Sequence, residues 1–112
     1  MTAQATGART VTSETPDRPI LQIEYCRQCR WMLRAAWMAQ ELLTTFEEEL
    51  GGVTLMPGTG GIFEVRHGEA VVWSRKEEGR FPDITELKQR VRDHIAPDKP
   101  LGHADRKRPA GS

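Results

Sequence analysis

Only two cysteines occur in the 112 residues, Cys26 and Cys29. So few exclude a small secreted domain stapled by several disulfides. Long apolar runs are also missing. The two longest, Trp31-Met32-Leu33 and Ala35-Ala36-Trp37-Met38-Ala39, are broken by Arg34 and Gln40, far short of the roughly 20 residues a membrane-spanning helix needs. No membrane role is expected. Neither charge sign dominates, because 16 basic residues balance 16 acidic ones. A protein that grips nucleic acid shows a basic excess. Here the only basic cluster is Arg106-Lys107-Arg108, so no nucleic-acid role is expected. Met1 to Pro19 lacks the apolar core of a secretory signal. The expected location is therefore the cytoplasm, where a close cysteine pair is catalytic or metal-binding more often than a permanent cross-link.

What is present fits a single domain. Residues 1–18 are rich in Ala, Thr and Pro, carry no period, and read as a disordered arm. Residues 19–96 hold all the patterned sequence, and residues 97–112 read as a disordered tail. In Leu21-Gln22-Ile23-Glu24-Tyr25 apolar and polar residues alternate, the period of a half-buried strand. That strand runs into Cys26-Arg27-Gln28-Cys29, and a helical pattern follows to about Leu50. Trp31, Met32, Ala35, Ala36, Ala39, Leu42, Leu43 and Phe46 share one broad face of it. Gly51-Gly52 then supplies a stop, since glycine accepts the left-handed conformation that ends helices.

Val53 to Met56 reads as a second strand and Pro57-Gly58-Thr59-Gly60-Gly61 as a loop. Ile62 to Arg66 and Ala70 to Arg75 form a hairpin across His67-Gly68-Glu69. Asp83, with Glu86 three residues on, makes a capping box for a last helix striped by Ile84, Leu87, Val91 and Ile95. A helix joins the first two strands, so they should be parallel. The last two should be antiparallel. The fold class is α/β, thioredoxin-like, β-α-β-β-β-α with a four-stranded mixed sheet.

The chemistry concentrates in Cys-x-x-Cys between a strand and a helix. A helix's first turn leaves N–H groups unpaired and carries partial positive charge, and Arg27 and Arg30 add charge beside both sulfurs. Each effect favours thiolate, the attacking species. Cysteines three apart reach each other, so one attacks a disulfide and the other resolves it. Helix electrostatics favours Cys26 as the exposed nucleophile, with Cys29 one turn in and more buried. A zinc site would need four ligands, and His67, His94 and His103 have no ligand spacing. Each reads as an ordinary exposed residue, and no metal is expected.

Four stretches resemble the selenoprotein W, T and H (Rdx) family, in its bacterial selenoprotein W-like branch. They are Glu24-Tyr25-Cys26-Arg27-Gln28-Cys29, Thr59-Gly60-Gly61-Ile62-Phe63-Glu64-Val65, Trp73-Ser74-Arg75-Lys76 and Gly79-Arg80-Phe81-Pro82. The resemblance spans roughly residues 19–96. It implies a thioredoxin-like fold and a glutathione- or thioredoxin-linked redox role. Eukaryotic members carry selenocysteine where this chain has Cys29, which implies Cys29 as the attacking atom. Family usage and helix electrostatics thus point to different sulfurs.

In this topology the segment Pro57, Gly58, Thr59, Gly60, Gly61 passes beside the dithiol. Its glycines permit close backbone approach to a bound disulfide, and Pro57 stands where thioredoxins place a cis-proline. Arg75 and Lys76 end the fourth strand and are placed to receive carboxylates of glutathione or an acidic partner. Leu33 and Trp37 lie off the apolar stripe, a docking patch or weak dimer surface. Trp31 and Trp73 are expected in the core. The expected function is thiol–disulfide exchange with protein disulfides or glutathione and no bound cofactor. The alternative is a redox-switched binding module without turnover.

Overall fold

The computed structural model describes residues 18–102. The expected disordered arm (residues 1–18), all but Arg18, and most of the expected tail lie outside the described residues. Four strands and three helices follow in order: β1 (Ile20–Cys26), α1 (Met32–Thr45), β2 (Gly52–Gly58), β3 (Phe63–His67), β4 (Ala70–Ser74), α2 (Arg75–Glu78) and α3 (Ile84–Ile95). The strands form one sheet in the order β2-β1-β3-β4. β1 pairs parallel to β2 and antiparallel to β3, and β3 pairs antiparallel to β4. The mixed four-stranded sheet expected from hydrophobic period alone is therefore present, with β1 inside it. Gly68, at φ +61°, turns the β3–β4 hairpin, a conformation that glycine adopts without a Cβ clash.

Alternation along β1 sends Leu21, Ile23 and Tyr25 into the core. They meet Ala35, Met38, Ala39, Leu42 and Phe46 of α1, and Leu87 and Val91 of α3. The buried stripe of α1 is narrower than the sequence suggests. Met32 and Leu43 are exposed and Met38 is buried. A sheet beneath a helix covers a stripe roughly 100° wide, and those two residues fall on its flanks. Trp73 is buried as expected, whereas Trp31 is only half-buried at the core's margin. Trp73 also donates its indole N–H to the Arg80 carbonyl at 3.1 Å.

Several boundaries move. α1 ends at Thr45 with Phe46 as its C-cap, not near Leu50. Gly51 is not left-handed. Its N–H donates to Pro19 O at 2.8 Å, and a Cβ there would come within 2.9 Å of Arg18 O. Close chain approach, not helix termination, accounts for it. Pro57 and Gly58 belong to β2, opposite Tyr25 and Cys26, because β1 continues far enough to pair with them. Among the described residues no peptide bond is cis, so Pro57 is trans. Arg75 and Lys76 do not end β4. They open α2, which the Ser74 hydroxyl caps by accepting from Glu77 N–H at 3.4 Å. Asp83 caps α3 through Thr85 N–H at 3.2 Å, but Glu86 pairs with Arg80 at 3.1 Å, leaving the capping box half made.

Residues 97–102, assigned to the tail by sequence, lie against the domain. Lys99 pairs with Glu49 at 3.2 Å, its carbonyl accepts from Arg92 at 2.8 Å, and Leu101 packs on the core. No described helix is long and apolar enough to cross a membrane.

Candidate functional site

β1 ends at Cys26, and residues 27–30 form a turn before α1. Three backbone bonds hold that turn, one of them from Trp31 N–H to Cys26 O at 3.4 Å. Arg27 N–H donates to Gly58 O at 3.0 Å, tying it to β2, and Arg30 N–H returns to Arg27 O at 3.2 Å. Arg30 takes φ +65°, uncommon for a residue with a Cβ. The turn therefore folds back on itself and brings the sulfurs together. Cys29 Sγ donates to Cys26 Sγ at 2.6 Å.

The expected burial order is reversed. Cys26 is buried, at 1% exposure, and Cys29 is exposed. The reason is local. The helix starts at Met32, after the N-cap Trp31, so the whole Cys-x-x-Cys unit precedes it. Cys26 is still strand, paired with Gly58, while Cys29 sits at the turn's outer side.

Ionisation follows hydrogen bonding more than the helix end. The Cys29 thiol donating to Cys26 holds the Cys26 pKa below the ordinary cysteine value. Burial opposes this, and N–H groups of Gly61, Cys29 and Gln28 reinforce it. The Cys29 pKa is raised, first because its proton is held by Cys26, then by burial and by the neighbouring charge. Gly61 N–H and the Arg75 charge pull it back down. The two sulfurs thus titrate together, and the shifts belong to the pair. Arg27 and Arg30 are exposed in the turn. Arg75 and backbone N–H groups, which the sequence reading did not place there, also act on the thiols.

Of the expected loop, Thr59, Gly60 and Gly61 link β2 to β3 through Ile62. Gly60 and Gly61 have φ of +73° and +76°, which turns the Gly61 N–H toward the sulfurs. A Cβ on Gly58 would meet Glu24 Oε2 at 2.7 Å and Ile62 Cγ2 at 2.9 Å. Glycine is thus required at Gly58 by the neighbouring Glu24 and Ile62 side chains, and at Gly60 and Gly61 by backbone conformation.

Sequence reasoning missed the aromatic frame. The Phe81 ring stands edge-on to Trp31 at 4.8 Å and to Phe63 at 5.2 Å. Arg34 lies 4.0 Å from its centroid. Arg75 lies 5.0 Å from Trp31 and 5.1 Å from Phe81. Phe81 stands just before Pro82 in one of the four family-like stretches, a signal of position but not of contact. Leu33 is 80% exposed, Trp37 and Met32 46% each, so the off-stripe pair is open to solvent together with Met32 in the first two turns of α1.

Two histidines read as unrelated come together. His94 Nε2 lies 3.1 Å from His67 Nδ1, with the rings edge-to-face, at the end of the sheet away from the cysteines. Among the described residues no group of three or more His, Cys, Asp or Glu side chains is placed to hold a metal. His103 lies outside the described residues.

A parallel β1–α1–β2 unit, an antiparallel hairpin, a closing helix and a paired dithiol where the first strand ends define a protein of the thioredoxin-like class. Residues 20–93 match the Rdx family, and the chain belongs to that family. It is similar to a protein of known crystal structure from Bordetella parapertussis, at 56% identity and a TM-score of 0.68, over 70% of this chain and 99% of that one. It is also similar to the selenoprotein W-related protein from Vibrio cholerae, at 54% identity and a TM-score of 0.68, with the same coverage of 70% and 99%. No curated protein matches. Membership places the chain among redox-associated proteins.

Proposed function

We propose that this chain carries out thiol–disulfide exchange in the cytoplasm, with Cys29 attacking and Cys26 resolving. The observation that carries the reading is the sulfur pair itself: 2.6 Å apart, one exposed and one buried. Access selects Cys29, because an incoming disulfide must line up behind the attacked sulfur. Ionisation favours Cys26, but the hydrogen bond between the sulfurs reconciles the two. Shifting its proton from Cys29 to the adjacent Cys26 yields a Cys29 thiolate without separating charge over distance.

The Cys29 thiolate attacks a substrate disulfide. A bond from Cys29 Sγ to one substrate sulfur forms, the substrate disulfide breaks, and the other half leaves as thiolate. Cys26, deprotonated, then attacks Cys29 Sγ, closing Cys26–Cys29 and releasing the second thiolate. Two electrons pass to the substrate, and two protons follow to the released thiols. A cellular thiol system, glutathione or a thioredoxin, returns the electrons by the reverse chemistry.

With oxidised glutathione, Cys26→Ser is expected to accumulate a mixed disulfide on Cys29, read by mass spectrometry, and Cys29→Ser is not. The wild type should show a reversible two-thiol couple between roughly −270 and −200 mV. No adduct on Cys26→Ser, together with no such couple, would overturn the reading.

A second reading has one observation behind it. The exposed Met32, Leu33 and Trp37 stand beside the dithiol turn, so closing the disulfide is positioned to reshape a docking surface. Partner capture lost in Trp37→Ala but indifferent to Cys26→Ser would favour binding without turnover.

A further inference from the structure

A cavity of about 490 Å³ opens beside the dithiol turn, lined by Gly60, Gly61, Phe63, Glu64, Arg75 and Lys76. Gly61 joins it to the chemistry, since its backbone N–H faces the sulfur pair closely enough to lower the pKa of each thiol. A substrate sulfur approaching Cys29 thus has this cavity at its side. We propose that the cavity binds a carboxylate borne by a small disulfide substrate, with Arg75 as the receiving group and Lys76 assisting. This rests on the exchange reading above and adds a substrate class to it.

Burial, more than lack of a counter-ion, singles out Arg75. Arg66 pairs with Glu24 and Glu64, Arg80 with Glu86, Lys88 with Glu41, Arg90 with Glu78 and Lys99 with Glu49, while Arg27, Arg30, Arg34 and Lys76 have no carboxylate partner among the described residues. Arg75 has none among the described residues. Its Nε is buried without a hydrogen-bond partner, although a buried donor left unmade costs free energy. The guanidinium rests over Trp31 and Phe81, so its plane is held before any ligand arrives. A planar cation with free donors suits a carboxylate, which it meets with two parallel bonds. The one carboxylate in the wall, Glu64, is already engaged. Its Oε1 accepts from Arg66 at 2.8 Å and its Oε2 from Ser74 at 3.5 Å.

The test compares dithiodipropionic acid with its neutral diamide, which differ only in charge beside the same disulfide. In single-turnover oxidation of the reduced full-length protein, followed by mass spectrometry, the acid is expected to react faster by about three- to tenfold, the usual scale of a partly exposed charged contact. Arg75→Gln should bring the acid-to-amide ratio to about one, Arg75→Lys should keep part of it, and Lys76→Gln should lower it less. The ratio separates carboxylate binding from any change in thiol reactivity, which affects both probes alike. Suberate, with methylenes in place of the sulfurs, should shift the Gly60 and Gly61 amide resonances and the Arg75 Nε resonance in wild type but not in Arg75→Gln. A ratio of one in wild type, a ratio retained in Arg75→Gln, or no shift with suberate would overturn the proposal. If both disulfides fail to oxidise the protein while suberate still binds at Arg75, the exchange reading falls and the carboxylate site stands.

Discussion

The two ends of the central strand β1 are built to opposite standards. At the Leu21 end, charges and chain close on one another, with Glu49 Oε1 left buried without a hydrogen-bond partner. Lys99 pairs with Glu49, Arg92 holds the Lys99 carbonyl, Gly51 donates to Pro19, and His67 meets His94. At the Cys26 end, polar groups remain open. Cys29 is exposed, Arg30, Gly60 and Gly61 sit at positive φ, and Arg75 has a buried Nε without a partner. The lesson is energetic. Each end holds one buried polar atom without a partner, so the ends differ in the exposed Cys29 and in the backbone strain at Arg30, and a domain of marginal net stability keeps such strain where a site needs it.

Substitution at each end can break this contrast. The largest effect is expected from Cys29→Ala, which should abolish disulfide exchange while leaving the unfolding midpoint near wild type, since the side chain is exposed. A large stability loss with retained exchange would dissolve the division. Phe46→Ala, at the closed end and fully buried, should cost about 3–5 kcal/mol in denaturant unfolding and leave thiol chemistry unchanged in the folded fraction. Gly61→Ala should cost about 1–2 kcal/mol, because a Cβ is strained at φ +76°. It should also raise the Cys26 pKa by displacing a donor.

pH sharpens the comparison further. Thiolate absorbance in the ultraviolet should rise in two steps, one below the ordinary cysteine range and one above it. The depressed Cys26 value stabilises the fold at high pH, a contribution lost as pH falls through it. The raised Cys29 value works oppositely, a contribution present at low pH and lost as pH rises past the ordinary thiol value. Cys29→Ala should move Cys26 back up, and Cys26→Ala should move Cys29 back down. A single step at the ordinary value would show that the sulfurs do not titrate together. The smallest effect is expected from His94→Gln, within about 0.5 kcal/mol of wild type by unfolding, since an exposed pair at the closed end carries little.

Much of the fold was legible in local pattern. Alternation from Leu21 to Tyr25 marked β1, the spacing of Ala35, Ala39, Leu42 and Phe46 marked α1, and Gly68 marked the hairpin. These signals are local in sequence, and the structure repeats them in place. The boundaries at Pro57–Gly58 and Arg75–Lys76 were not legible, because each depends on how far a neighbouring strand runs. The site was legible as a dithiol, since two cysteines at that spacing admit few roles. The order of burial was not. It turns on the helix starting at Met32, after both cysteines, where the sequence reading put Cys29 already one turn inside it.

By itself the chain determined that two sulfurs stand together where the first strand ends, and the order of its strands and helices, because hydrophobic period and a Cys-x-x-Cys spacing act over a few residues. Only tertiary structure decided which sulfur faces solvent, which arginine reaches it, and what shape stands beside it. Those properties arise where β1, the Gly60–Gly61 link and α2 converge from distant parts of the sequence. Accessibility and electrostatic reach depend on that convergence, not on neighbours along the chain.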